Sequence, residues 1–172
     1  KLANEIQPKP MMCIVGEPTL MQVIIGHKGK MSYQCHVRGL EAHSSLAPQG
    51  VNAVEYAAEL IAYLKGMARR IQKEGPFDDL YDINHTTVHT GTVQGGTALN
   101  IVPKDCSFEF EFRCIAGHDG RELYEEVVRH AREVLEPEMK ALDPSTGFTF
   151  EESSAIEGLD IDPGEEVVTL AK

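Results

Sequence analysis

The sequence predicts an α+β domain of ferredoxin-like type, β-α-β-β-α-β, with a four-stranded antiparallel sheet carrying two helices on one face. Two stretches alternate apolar and polar residues with a period of two, around 31–37 and 106–114. Two longer stretches, after Asn52 and after Asp119, repeat apolar residues every three or four positions. Short strand-like segments fill the remaining places in the order.

From Lys28 to Arg38, Met31, Tyr33, Cys35 and Val37 point one way while Lys30, Ser32, Gln34 and His36 point the other, as in a half-buried antiparallel strand. A loop rich in turn residues follows, from Gly39 to Gly50. Asn52 is placed to cap a helix whose stripe is Val54, Ala57, Ala58, Ile61, Leu64, Ala68 and Ile71, closed by Gly75-Pro76. Thr86 to Val93 reads as the second strand, ended by Gly95-Gly96. The third has the clearest period: Cys106, Phe108, Phe110, Phe112 and Cys114 alternate with Ser107, Glu109, Glu111 and Arg113. Asp119 caps a second helix with Leu123, Tyr124, Val127, Val128, Ala131, Val134 and Leu135 on one face, and Pro137 is expected to end it. Phe148-Thr149-Phe150 opens the fourth strand.

The continuous apolar run Met11-Met12-Cys13-Ile14-Val15, stopped by Gly16-Glu17-Pro18, suits a strand buried on both faces in a parallel sheet. It lies outside the ferredoxin-like order, as does the helix start after Asp162-Pro163-Gly164. The expected organisation is therefore a flank over 1–26, the α+β domain over 27–157 and a second flank over 158–172. With no initial Met and a last segment inside a helix start, both ends are expected to continue into a longer chain.

Lys+Arg 16 against Asp+Glu 27 leaves a net charge of −11, which disfavours nucleic acid and anionic membrane surfaces as partners. No apolar run approaches the ~18–20 residues of a membrane span. Cys13, Cys35, Cys106 and Cys114 form no CxxC pair and fall in apolar runs or at in-phase strand positions, so core thiols and a cytoplasmic setting are expected.

Four residues are candidates for chemistry. Glu17, at the carboxyl end of the apolar run between Gly16 and Pro18, is either a metal ligand or catalytic acid, or an ordinary turn carboxylate. His43, in a Gly/Ser/Pro-rich loop before two hydroxyls, either donates to a developing oxyanion or shuttles a proton, or is an ordinary residue of a polar surface loop. Asn100, after a flexible double Gly, either binds a substrate carboxylate or carbonyl or closes a turn. Arg113, in phase with Glu109 and Glu111, is either a cross-strand ion pair or a bidentate carboxylate clamp. No nucleophile elbow, dinucleotide fingerprint or P-loop is present.

Taken together, Ile14-Val15-Gly16-Glu17-Pro18-Thr19, Gly26-His27-Lys28-Gly29-Lys30, Gly39-Leu40-Glu41-Ala42-His43-Ser44-Ser45, Gly95-Gly96-Thr97-Ala98-Leu99-Asn100 and Phe112-Arg113 resemble the di-zinc aminoacylase/carboxypeptidase family. Gly75-Pro76-Phe77-Asp78 and His85-Thr86-Thr87-Val88-His89 resemble its deacetylase branch most. The resemblance implies the dimerisation (lid) domain that interrupts a zinc catalytic domain, flanked by pieces of it, in a homodimer acting on an N-acyl amino acid. It also implies Glu17 as a zinc ligand, His43 as the lid histidine that stabilises the oxyanion in the partner subunit's site, and Asn100 and Arg113 as substrate-binding residues. The desuccinylase and carboxypeptidase members are alternatives within the family. A self-contained ferredoxin-like module for dimerisation or ligand binding is the alternative outside it. The family's other ligands and its Glu general base have no counterpart before Glu17, where no His or Asp occurs. Zinc (or cobalt) is thus expected in the intact enzyme, with none held stably by this chain, which is expected to be inactive alone.

Overall fold

The computed structural model describes residues 8–16 and 18–172. The chain divides into two compact units, Lys28–Gly158 and the segments on either side of it.

In the larger unit, β2 (Gly29–Arg38; β1, Gly26–His27, precedes it in the flanking unit) leads through a 3-10 turn (Ser44–Gln49) into α1 (Ala53–Glu74). β3 (Thr87–Gly95) and β4 (Asp105–Cys114) follow, then α2 (Gly120–His130), a π-turn (Ala131–Leu135), α3 (Glu136–Leu142) and β5 (Gly147–Ile156). The sheet order is β3-β4-β2-β5 and every pair is antiparallel. This is the ferredoxin-like fold that the two periods predict.

Alternation sets which face is buried. Tyr33, Cys35 and Val37 of β2 and Phe108, Phe110 and Phe112 of β4 are almost wholly buried and pack into one core with both helices. Each such aromatic contributes about 1.5–3 kcal/mol by leaving water. The other sheet face carries Lys30, Ser32, Gln34, Glu109, Glu111 and Arg113. Asn52 caps α1, its Oδ1 accepting from the Val54 and Glu55 amides at 3.0 and 3.3 Å. Asp119 caps α2 through the Arg121 amide at 2.8 Å.

Three expectations are corrected. The stripe of α1 is rotated: Ala53, Ala57, Leu60, Leu64, Met67 and Ile71 are buried, whereas Ala58 is exposed and Val54, Ile61 and Ala68 lie at the rim. Small Ala at several positions gave two nearly equivalent phases, and the larger Leu60 and Met67 decide between them. Pro137 does not end the second helix. The π-turn before it makes Pro137 part of the first turn of α3, where its missing N–H leaves no bond unmade. The helical path so continues to bury Met139, while Val134 turns outward, 58% exposed.

The third correction concerns Met11–Val15, which forms no strand: Met11, Ile14 and Val15 are 90%, 67% and 70% exposed. A strand buried on both faces needs neighbouring strands, and none pairs with it among the described residues. Cys13 is accordingly exposed, unlike the three buried thiols. In this flanking unit β1 pairs antiparallel with β6 (Leu159–Asp160), and α4 (Glu166–Ala171) begins after Asp162-Pro163-Gly164 as expected. No helix among the described residues is long and apolar enough to cross a membrane.

Candidate functional site

The loop after β2 is closed at its neck by a reciprocal pair of bonds between Leu40 and Val51, each 2.9 Å. Gly39 is required there, because a Cβ would lie 2.1 Å from the Val51 carbonyl oxygen. Inside the neck the chain meets the loop after β3. The Val102 amide donates to Ala42 at 2.8 Å, the Ser44 amide donates to Asn100 at 3.0 Å, and His43 and Ile101 form a bridge pair. Gly96 (φ 80°) turns this second loop and Val102 anchors it in the core. Two segments more than fifty positions apart are thus stitched by backbone bonds alone, so their side chains are spared for other work.

His43 and Asn100 are both exposed on this pair of loops. His43 also caps the 3-10 turn: its Nδ1 accepts from the Ser45 amide at 3.2 Å and lies 2.8 Å from Ser45 Oγ. An accepting Nδ1 leaves the proton on Nε2, which then faces outward as a donor. Ser45 is the residue sequence reasoning missed; its signal was a hydroxyl two positions after a loop histidine. The Asn100 carboxamide has no hydrogen-bond partner among the described residues, so its donors and acceptor are available.

Arg113 stands elsewhere. It lies near the far end of β4, eight residues from Asp105, which is about 26 Å of strand. There it opposes Lys30 and Thr87 across the sheet. Its Nε donates to Glu111 Oε1 at 2.9 Å, and Lys30 Nζ is 3.8 Å from the other carboxylate oxygen. Partial burial pushes the Glu111 carboxyl up, but Arg113 and Lys30 outweigh it and hold the group below its usual range. Both terminal nitrogens of Arg113 remain as donors. This is also the end at which the chain enters β2 and leaves β5. Within one chain, then, the fold joins His43 with Asn100 and holds Arg113 apart.

Glu17 lies outside the described residues. Among those described, no group of three His, Cys, Asp or Glu side chains converges as a metal ion would require, so the described residues do not by themselves build a zinc centre. Nor is a buried thiol available: burial raises Cys114 to about 11 and keeps it protonated.

The model of one family, the peptidase dimerisation domain, matches residues 25–139. Similar curated proteins include the acetylornithine deacetylase of Pectobacterium carotovorum, 33% identical over 115 residues, which are 67% of this chain and 30% of that protein. That of Myxococcus xanthus is 36% identical over 104 residues, 60% of this chain and 27% of that protein. The chain therefore spans about 30% of the length of the curated relatives it matches. Among solved structures, an aminopeptidase of Bacillus cereus superposes with TM-score 0.62 at 23% identity, covering 87% of this chain and 35% of the other. A tripeptidase of Staphylococcus aureus gives 0.56 at 27% identity, covering 86% and 35%.

Proposed function

The chain belongs to the peptidase dimerisation domain family, and on that footing we propose that it is the lid of a homodimeric, zinc-dependent amide hydrolase that releases ornithine and acetate from N-acetylornithine. The relatives named acetylornithine deacetylase support the substrate. In this proposal 27–157 is the lid, 1–26 and 158–172 lead into the catalytic domain, and Glu17 is a metal ligand there. The zinc supplies the activated water when bound, from ligands mostly outside this chain. Four free cysteines support a cytoplasmic setting.

This chain's own contribution is electrostatic and positional. His43, its tautomer fixed by Ser45, donates Nε2–H to the oxyanion that develops as the amide carbonyl is attacked. Asn100, beside it, hydrogen-bonds the substrate's amino-acid portion. Arg113 pairs with the substrate carboxylate through its terminal nitrogens. The observation that carries the reading is the division of these groups: His43 with Asn100 on loops at the end of the sheet where β4 begins, Arg113 near the other end of β4, about 26 Å of strand beyond Asp105. No small substrate spans that distance. A dimer resolves it, with each active site taking Arg113 from the lid of its own chain and His43 with Asn100 from the partner's.

The test is ornithine release from N-acetylornithine by the full-length protein, with and without zinc. Metal-dependent turnover is the expected result. Turnover of succinylated substrates instead would keep the architecture and replace the substrate, and preference for small peptides is the second reading, supported by the tripeptidase likeness. A metal-loaded protein inactive on all three would overturn the proposal.

A further inference from the structure

The sheet face opposite the core ends, on the side where β4 begins, in an open groove of about 520 Å³, within the range of small-molecule sites. Its lining includes a row of four residues that lie side by side across all four strands. Gln94 pairs with Ser107, Ser107 with His36, and His36 with Thr149. Cross-strand partners share a face of the sheet, so these side chains stand next to one another. The groove borders the loops of the candidate site through Glu41 and Gly96-Thr97, but neither His43 nor Asn100 lines it.

The rows on either side contain bonded pairs. On one, Arg38 Nη1 donates to Asp105 Oδ1 at 3.2 Å; on the other, Thr92 Oγ1 donates to Glu109 Oε2 at 2.8 Å. Between them the side chains of Gln94, Ser107, His36 and Thr149 make no hydrogen bond among the described residues. Glu41 and Lys104 also line the groove, and both are exposed. They stand on segments joined by main-chain bonds, from the Gly39 amide to Lys104 at 2.6 Å and from the Val102 amide to Ala42 at 2.8 Å. Yet their side chains form no ion pair with each other or with any described residue. With Arg38 and Asp105 offsetting one another, the groove offers one carboxylate and one ammonium beside a row of amide, hydroxyl and imidazole groups.

We propose that this groove binds a short unblocked peptide. Its terminal ammonium pairs with Glu41 and its terminal carboxylate with Lys104, while the row from Gln94 to Thr149 supplies donors and acceptors to its amide groups. Charge complementarity selects this class. A lone anion attracted by Lys104 is repelled by Glu41, and a lone cation meets the reverse. A neutral sugar leaves both charges unused, and a single amino acid has no amide group for the row. The site needs neither a metal nor a second chain, so it stands apart from the proposed amide hydrolysis.

The test is titration of the 172-residue chain with triglycine, N-acetyl-triglycine and triglycine amide, followed by backbone amide NMR shifts. Triglycine is expected to bind saturably and to move the amides of Gly95, Gly96 and Thr97. Each blocked peptide is expected to bind about three- to tenfold more weakly, the scale of a solvent-accessible charge pair. Glu41→Gln should abolish the difference between triglycine and N-acetyl-triglycine, and Lys104→Gln the difference between triglycine and its amide. Both side chains are exposed, so Tm should not change in either variant. Blocked peptides that bind as well as triglycine, variants that keep the wild-type preferences, or shifts that do not saturate would overturn the site. Glycine binding as tightly as triglycine would overturn the peptide assignment.

Discussion

At the end of the sheet where β2 runs out and β4 begins, His43 and Asn100 stand exposed on loops held by backbone hydrogen bonds. At the opposite end Arg113 stands on a ladder strand, tied to Glu111 through its side chain. The first end keeps its side chains free because main-chain bonds fix the loops. The second positions its guanidinium by an ion pair, so that any ligand must share it. On the proposed reading, one chain would thereby contribute to two sites without completing either.

Three substitutions or conditions probe the contrast, in descending order of expected effect. His43→Ala in the full-length protein should lower kcat by about 10²–10³, the value of one oxyanion donor, with little change in KM. A loss confined to KM would make the loop end a binding element only. Arg113→Ala should act mainly on KM, costing about 1.5–3 kcal/mol, a tenfold to hundredfold loss in kcat/KM. An unchanged KM would make Arg113 a partner of Glu111 and nothing more.

The smallest effect is on stability. Glu111 has its folded-state pKa lowered, chiefly by Arg113 and Lys30 acting against burial. Its contribution is therefore present above the unfolded carboxyl range and is lost as pH falls through the lowered value. His118, lowered by burial although Glu122 and Asp119 oppose, behaves with the same sign near the histidine range. Tm should thus hold near neutrality and decline on acidification. Glu111→Gln should remove under about 1 kcal/mol of the acid-sensitive part, since Arg113 is half exposed. A Tm that rises on acidification would reverse the assignment.

Much of the sheet was legible because alternation states both the strand and its buried face. The caps at Asn52 and Asp119 were legible for a local reason, a side chain bonding an amide two residues ahead. Met11–Val15 misled because a continuous apolar run states a need for neighbours without saying which segments supply them. Pro137 misled because a π-turn, which has no sequence signature here, rescued the helix. His43 and Asn100 could each be singled out, but not their adjacency. That depends on main-chain bonds such as Ala42 to Val102, which any residue types could make. The resemblance to a lid domain pointed to the same residues, and the fold adds that Arg113 is not with them.

The division of the site between two chains is tested most directly by mixing full-length His43→Ala and Arg113→Ala proteins, each nearly inactive at low substrate. If His43 and Arg113 reach a given site from different chains, half the dimers are hybrids with one intact site, and activity should return to about a quarter of wild type. Activity no higher than the mean of the two variants would show that both residues serve the same site from the same chain, and would contradict the account.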